Sequence, residues 1–373
     1  MLTEIRISRS ALHRNVRAFR RVIGPKVALM AVVKSNAYGH GVGECVPIFA
    51  QAGVDWFGVA SVTEALALRQ QQRKKSILVL SYVDGDANAL VNAIRQGIRL
   101  PAYTLDMLQR FDRAAKKARH PAYIHVKFDT GTSRIGFLPI EVSTVLKLIP
   151  RLHHVVVEGL YSHFADVESR RQGFAHLQVA RFRKVAATLE RVLHRRLLKH
   201  LDCSAGVLMQ PDTHYDMVRV GMSLYGVLTA EDKGFVKHHY PNFRLQPALA
   251  WHTQVIQVQR VPPGTTVGYS RMYRTRRATT LAVLPVGYWE GLDRRLSNVG
   301  YVGLRNVRAP IRGRVCMNLT MVDATGLAKL RVGESVELIG KRLTAEQHAG
   351  WSGTIPYETL TRLNPLIPRR VVA

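Results

Sequence analysis

Eight times before residue 221 the chain repeats one pair of signals, a short β-branched apolar run followed by a longer stretch with helical periodicity. The runs fall at residues 27–34, 56–60, 77–81, 99–103, 123–128, 155–162, 200–203 and 217–220. Helical patterns occupy 62–69, 88–96, 105–118, 140–149 and 178–194. Alternation of this kind makes successive strands parallel, and runs that are apolar throughout need cover on both faces. Eight such units predict an α/β fold with a (β/α)8 TIM barrel. The run around Pro101 is the weakest of the eight, because proline cannot donate to a ladder. After residue 228 the texture changes to short runs at 251–261, 279–286, 301–304, 313–316, 321–322 and 335–338, separated by Pro/Gly turns. That pattern predicts a mainly antiparallel β domain. The expected division is a barrel over residues 1–235 and a β domain over 236–373, to which the first few residues can also pack. Residues 229–241 read as a linker loop.

With 373 residues and 47% hydrophobic content, the chain can bury a barrel core and a second unit. Its 54 Lys+Arg against 26 Asp+Glu leave a formal charge of +28, a field that attracts nucleic acid, anionic membranes or anionic ligands. The basic residues are scattered, in groups such as 17–21, 73–75, 191–199 and 274–277, without a zinc-finger spacing, a basic zipper or an RNA-binding aromatic signature. A solvated basic surface is therefore expected, and nucleic acid is not expected as the principal partner. Cys45, Cys203 and Cys316 are odd in number and far apart; this fits neither a disulfide framework nor a metal site and points to a reducing compartment. The segment MLTEIRISRSALHRNV lacks the apolar core of a secretory signal, and no uninterrupted apolar stretch reaches the ~18 residues of a membrane span. A cytoplasmic protein without resident metal is the expectation.

In a barrel, the segment AVVKSNAYGHG at residues 31–41 acquires a location. A lysine closing an apolar strand can simply mark the surface. At the C-terminal mouth of a barrel, where active sites sit, it is instead an amine whose charge burial can suppress. Other reactive residues also fall at strand ends: Lys127 and Asp129, followed by a glycine-bearing loop to Arg134, then His163, Ser204, Arg219 and Gly221. Singly each has an ordinary explanation: a cap for Ser204, a surface ion pair for Arg134, a satisfied core imidazole for His163. Their convergence on one mouth defines a candidate active site.

In order along essentially the whole chain, AVVKSNAYGHG, KFDTGTSRIGF, GLYSHFA, VRVGMSLYG, VGYSRMY, LPVGY, GRVCMN and IPYE resemble segments of alanine racemases. These are pyridoxal 5′-phosphate (PLP) enzymes with a barrel and a β domain, and they work as head-to-tail homodimers. The resemblance implies that Lys34 carries PLP and acts as base on one face of Cα, with Tyr269 of the partner subunit on the other. A base on each face is the direct way to invert a centre. It also implies that His163 and Arg219 assist the phenol, and that Arg219 donates to the cofactor ring nitrogen. Guanidinium can donate a hydrogen bond there but hardly a proton, which disfavours side reactions such as transamination. Phosphate binding falls to Tyr38, Ser204 and the backbone N–H groups of Ser204, Gly221 and Met222. Arg134 and the backbone N–H of Met317 of the partner subunit hold the substrate carboxylate, a carbamylated Lys127 orients Arg134, and Tyr288, Arg294 and Arg314 line the entry. The GHGVG run at 39–43 reads as close packing rather than as a second phosphate cradle.

Four departures from the family pattern bear on specificity. GYWEGL places Trp289 and Glu290 near the entry, Asn318 replaces an aspartate in CMN, and Pro365 stands where many members have a tyrosine near phosphate and substrate. Glu168 takes the place of an entry aspartate. They leave open a racemase of broader or different specificity, for serine, lysine or arginine. A barrel-type PLP decarboxylase is a remoter reading, because such enzymes lack the VGYSR tyrosine. A PLP-binding homeostasis protein would lack the β domain.

Overall fold

The computed structural model describes residues 2–169 and 171–373. Nine strands precede residue 221: β1 (Glu4–Ser8), β2 (Ala28–Val32), β3 (Trp56–Val59), β4 (Ser76–Val79), β5 (Leu100–Ala102), β6 (Ala122–Lys127), β7 (Val155–Tyr161), β8 (Leu198–His200) and β9 (Met217–Val220). All but β1 are parallel, in two arcs ordered β4-β3-β2-β9 and β5-β6-β7-β8. Arg99 stitches the arcs on one side: its N–H donates to Ile77 O at 2.9 Å and its carbonyl accepts from Val79 N–H at 3.0 Å. On the other side the Asp216 N–H reaches Lys199 O and the Arg219 N–H reaches Asp202 O, both at 3.1 Å. The barrel is thereby closed, and the expected eight units are present. Pro101 is tolerated within a three-residue strand.

Helices cover the barrel where the periodicity placed them, at Val62–Gln71, Ala87–Arg95, Leu105–Ala118 and Gly173–Leu193. The expected helix at 140–149 is broken into short pieces, because Pro139 opens a 3-10 turn at one end and Pro150 is the second residue of another at the other. Residues 229–241 are not a loop: a helix runs over Ala230–His239. Among the described residues no helix is long and apolar enough to cross a membrane.

The second unit has ten strands, β10 (Leu249–Gln254), β11 (Gln257–Val261), β12 (Thr266–Val267), β13 (Tyr273–Arg274), β14 (Thr279–Leu284), β15 (Tyr301–Leu304), β16 (Val307–Pro310), β17 (Thr320–Asp323), β18 (Ser335–Ile339) and β19 (Arg369–Val372). The larger sheet is ordered β16-β15-β18-β10-β1-β19, with β1 antiparallel to β10 and parallel to β19. The chain's opening strand therefore belongs to the later sheet. The run expected at 251–261 is two strands in different sheets, β10 in the larger and β11 in β11-β14-β17. Residues 313–316 form no strand, because side chains take their amide hydrogens: Gly313 N–H donates to Asn298 Oδ1 at 2.7 Å and Val315 N–H to Ser297 Oγ at 3.0 Å.

The β unit presses on the barrel at the lysine segment. A Cβ on Gly39 would lie 2.0 Å from the carbonyl oxygen of Leu360, and Gly39 has a φ of 81°. Arg369 clamps the same point, donating through Nε and Nη2 to Gly39 O at 3.2 and 3.0 Å. Gly39 in GHGVG thus serves close packing against the C-terminal helix Pro356–Thr361.

Candidate active site

Strand β2 stops at Val32, and Lys34 opens one turn of left-handed helix instead of ending the strand. Ser35, Asn36, Ala37 and Tyr38 have φ between 52° and 55°, and Ala37 N–H donates to Val33 O at 2.9 Å. Each non-glycine residue in this region costs roughly 1 kcal/mol or more. Glu64 compensates: its carboxylate accepts from Ser35 N–H and from Ala60 N–H, both at 2.7 Å. Asn36 Oδ1 accepts from Val42 N–H at 3.0 Å. Burial, then the charge of Arg134, lowers the pKa of Lys34, with Glu64 opposing them. Its amine is biased toward the neutral, nucleophilic form.

Lys34 opens onto a cleft of about 480 Å³ at the barrel mouth, lined also by Tyr38, Lys127, Arg134, Tyr161, His163, Ser204, Arg219, Gly221 and Met222. The structure therefore gathers the expected barrel residues in one place. Arg134 is presented by a loop organised on Asp129, whose two carboxylate oxygens accept from the N–H groups of Gly131, Thr132 and Arg134 and from Thr132 Oγ1, at 2.6–2.9 Å. Burial of Asp129 works against its charge, but these donors outweigh it and bring the carboxyl to about 2. Lys127 is buried, with its Nζ 5.4 Å from the centre of the Tyr161 ring. Burial first, then Arg134 and Arg219, brings its amine down to about 7.

Arg219 is buried, and four of its N–H groups are committed to the protein. Nη1 donates to His200 Nδ1 at 2.7 Å and to His200 O at 2.9 Å; Nη2 donates to Ser162 O at 2.7 Å and Leu201 O at 2.8 Å. The Nε–H is left for a ligand. His163 Nδ1 lies 3.3 Å from Nη2, whose two hydrogens already serve Ser162 O and Leu201 O, so this contact is a secondary one and does not fix the ring's tautomer. Burial, followed by Arg219 and Arg134, holds His163 well below the usual imidazole pKa.

At the opposite end of the cleft, Gly221 N–H donates to Ser204 Oγ at 3.0 Å. A Cβ on residue 221 would sit 2.6 Å from the Tyr38 hydroxyl. Three neutral groups, the Tyr38 phenol, the Ser204 hydroxyl and the Gly221 amide, thus converge because residue 221 has no side chain. Burial, followed by Tyr357, keeps the Tyr38 phenol firmly protonated. The donor set fits a phosphate, and the Arg219 Nε–H fits the ring nitrogen of a pyridine, so the residues present fit PLP. Tyr357, which the sequence reading left unassigned, joins this end: it lines the cleft and meets the Tyr38 ring edge-on at 6.1 Å. Pro365, by contrast, is exposed and gives only its carbonyl to Arg369 at 2.9 Å. Glu168 does line the cleft.

Tyr269, Met317 and Tyr288 do not line the cleft of their own chain. They lie on the β unit, with Tyr269 72% and Met317 56% exposed. Tyr269 follows Gly268 in a 3-10 turn. Tyr288 N–H donates to Cys316 O and Trp289 N–H to Met317 O, both at 3.0 Å, so the loops carrying Tyr288 and Met317 are knit together. Arg314 donates to Met272 Sδ at 2.7 Å on the same unit, and Arg294 opens a 3-10 turn there.

Residues 7–229 match the family model for the alanine racemase N-terminal domain, and residues 248–371 that for the alanine racemase C-terminal domain. The alanine racemase of Methanococcus maripaludis is 35% identical over 97% of this chain and 96% of its own length. That of Symbiobacterium thermophilum is 37% identical over 96% and 94%. Among solved structures, alanine racemase from Clostridium difficile superposes with a TM-score of 0.92 at 28% identity over 100% of this chain and 96% of that one. An alanine racemase from Bartonella henselae with covalently bound pyridoxal phosphate gives 0.86 at 30% identity, covering both chains completely. Sequence along the whole chain, the two-unit fold and the lysine cleft agree: the chain belongs to the alanine racemase family.

Proposed function

We propose that this chain interconverts L- and D-alanine with PLP attached at Lys34, acting in the cytoplasm as a homodimer whose β units complete each other's clefts. One observation carries the reading. Lys34, with its charge suppressed, shares a cleft with three neutral phosphate donors and with an Arg219 Nε–H aimed at no protein partner. When bound, PLP withdraws electrons from Cα and makes its proton acidic. The protein's task is then to hold the substrate carboxylate with Arg134, take a proton from one face with the Lys34 amine, and return one to the other face. Tyr269 suits the second face, but it projects from its own surface, which fits a role in the partner subunit. Met317 is exposed on the same unit, and its backbone N–H is the proposed second donor to the substrate carboxylate, with Tyr288 beside it at the entry. A neutral His163 beside Arg219 has one N–H to offer a phenolate there. Arg219 cannot readily pass a proton to the ring nitrogen, which favours racemisation over transamination. A Lys127 amine near neutrality is the species that adds carbon dioxide, which supports a carbamate that orients Arg134.

The test is a panel of L- and D-amino acids in deuterated water, following exchange at Cα and inversion. Alanine is expected to exchange and invert without loss of carbon dioxide. Purified protein should show the absorbance of lysine-bound pyridoxal, lost in Lys34→Ala. Tyr269→Phe should keep the cofactor and lose exchange mainly from one enantiomer; equal loss from both would sink the two-face arrangement.

A further inference from the structure

The buried Arg219 guanidinium has no carboxylate partner, since among the described residues it forms no ion pair. Its hydrogen bonds nevertheless lead to one. Nη1 donates to His200 Nδ1 at 2.7 Å, His200 Nε2 lies 2.7 Å from His125 Nδ1, and His125 Nε2 lies 3.2 Å from Glu158 Oε2. Glu158 is gripped by a fork from Arg99, Nε to Oε2 at 2.9 Å and Nη2 to Oε1 at 3.0 Å. Both imidazoles are fully buried.

The direction of every bond in this chain is fixed from its ends. Guanidinium has no acceptor, so His200 Nδ1 must accept. Burial, then Arg219 and His125, keeps His200 neutral, which leaves its single proton on Nε2, pointing to His125. His125 Nδ1 therefore accepts, and its proton sits on Nε2, facing the Glu158 carboxylate. Burial alone would raise Glu158, but the bonds from His125 and Arg99 outweigh it and hold it at about 2. Both termini thus demand the same tautomer, and a reversal at either imidazole would set two N–H groups head to head.

The fold is locally irregular to allow this. The β6–β7 register breaks between Ile124 and His125: Ile124 faces Val157 while His125 faces Gly159, and Glu158 becomes the extra residue. Bulges of this kind re-aim side chains. A Cβ on Gly159 would lie 2.6 Å from His125 Nδ1, so only glycine lets the imidazole pass. Tyr161 stacks flat on His200, with ring centres 4.9 Å apart at 4°.

We infer that Glu158 is a positioning residue for Arg219: through His125 and His200 it fixes the tautomers that hold Nη1 in the barrel and leave Nε–H aimed into the cleft. The catalytic part of this inference rests on the racemase reading; the tautomer part does not. The test is long-range proton–nitrogen NMR on protein labelled with ¹⁵N in its histidine rings, with His125→Gln and His200→Gln assigning the signals. Wild-type protein should carry protons on Nε2 of both rings; a proton on Nδ1 of either overturns the inference without any Glu158 variant. In Glu158→Met, Nδ1–H signals should appear at His125 or His200 and kcat should fall about tenfold or more, as for other outer partners of functional side chains. Glu158→Gln, which keeps an acceptor oxygen, should retain more of both. Unchanged tautomers with kcat within about twofold in Glu158→Met would refute the positioning role. Failure of wild-type protein to take up pyridoxal would count against the racemase reading alone.

Discussion

Asn318 Nδ2 donates to Glu290 Oε1 across 2.8 Å, and the other oxygen of Glu290 accepts from Gly287 N–H at the same distance. Two departures from the family pattern are therefore partners: the carboxylate missing at 318 is supplied at 290. Asn318→Asp would set two carboxylates against each other. It should lower thermal stability by about 1 kcal/mol at pH 8, the size of a surface charge contact. The loss should shrink in about 1 M salt, which screens exposed charges; a loss independent of salt would mean the pair is not the cause.

Gly221 admits the Tyr38 hydroxyl to the end of the cleft proposed to hold the phosphate. In Gly221→Ala the new methyl occupies that approach, and losing one donor to a charged group costs about 1.5–3 kcal/mol. PLP affinity, read by absorbance titration of cofactor-free protein, should fall about tenfold or more. Unaltered affinity would remove Tyr38 from the phosphate site.

Asp202 is fully buried; its Oδ1 accepts from Thr213 Oγ1 at 2.7 Å, while its Oδ2 has no hydrogen-bond partner. Burial outweighs the Thr213 bond and pushes the carboxyl up to about 7 from an ordinary 3.8. Between those values the folded protein holds a proton that the unfolded chain has lost, so stability falls as pH rises through that window. Asp202→Asn keeps an acceptor for Thr213 and removes the charge. Its gain in unfolding free energy should be large at pH 8, on the order of a few kcal/mol, and small at pH 4. Equal gains at both would contradict a buried carboxylate titrating there.

Lys127 has the opposite bias. With a folded value of about 7 against 10.5, the unfolded chain holds the extra proton between these limits, and stability rises with pH across them. Lys127→Met should therefore stabilise at pH 6, with the advantage fading toward pH 10. In ¹³C-bicarbonate the wild-type protein should show a carbamate carbon resonance that weakens below pH 7 and is absent from the variant. No such resonance at pH 8 would dispose of the modification.

Much of this was legible because barrel strands announce themselves one at a time. Each apolar run ends near a mouth residue, so Lys34, Lys127, His163, Ser204 and Arg219 could be assembled without knowing which strands were neighbours. Tyr357 could not, since it reaches the cleft from another unit through the packing of Leu360 on Gly39. The Glu158–His125 contact depends on a one-residue register break, which no periodicity records. The helix at Ala230–His239 was hidden by a segment whose polar residues read equally well as a loop. Strand 313–316 failed for a different reason, because Asn298 and Ser297 outcompeted a ladder for its amides.

Four consecutive non-glycine residues wound left-handed beside Lys34 cannot slide gradually into the neighbouring right-handed basin. Bonds to Val33 O, the Glu64 carboxylate and Asn36 Oδ1 hold them in the left-handed basin. In the role proposed for it, Lys34 would therefore move only by its own four methylenes, pivoting from a fixed point. The reach of the amine, and with it the face of Cα it can touch, is set by the rotamers of one side chain.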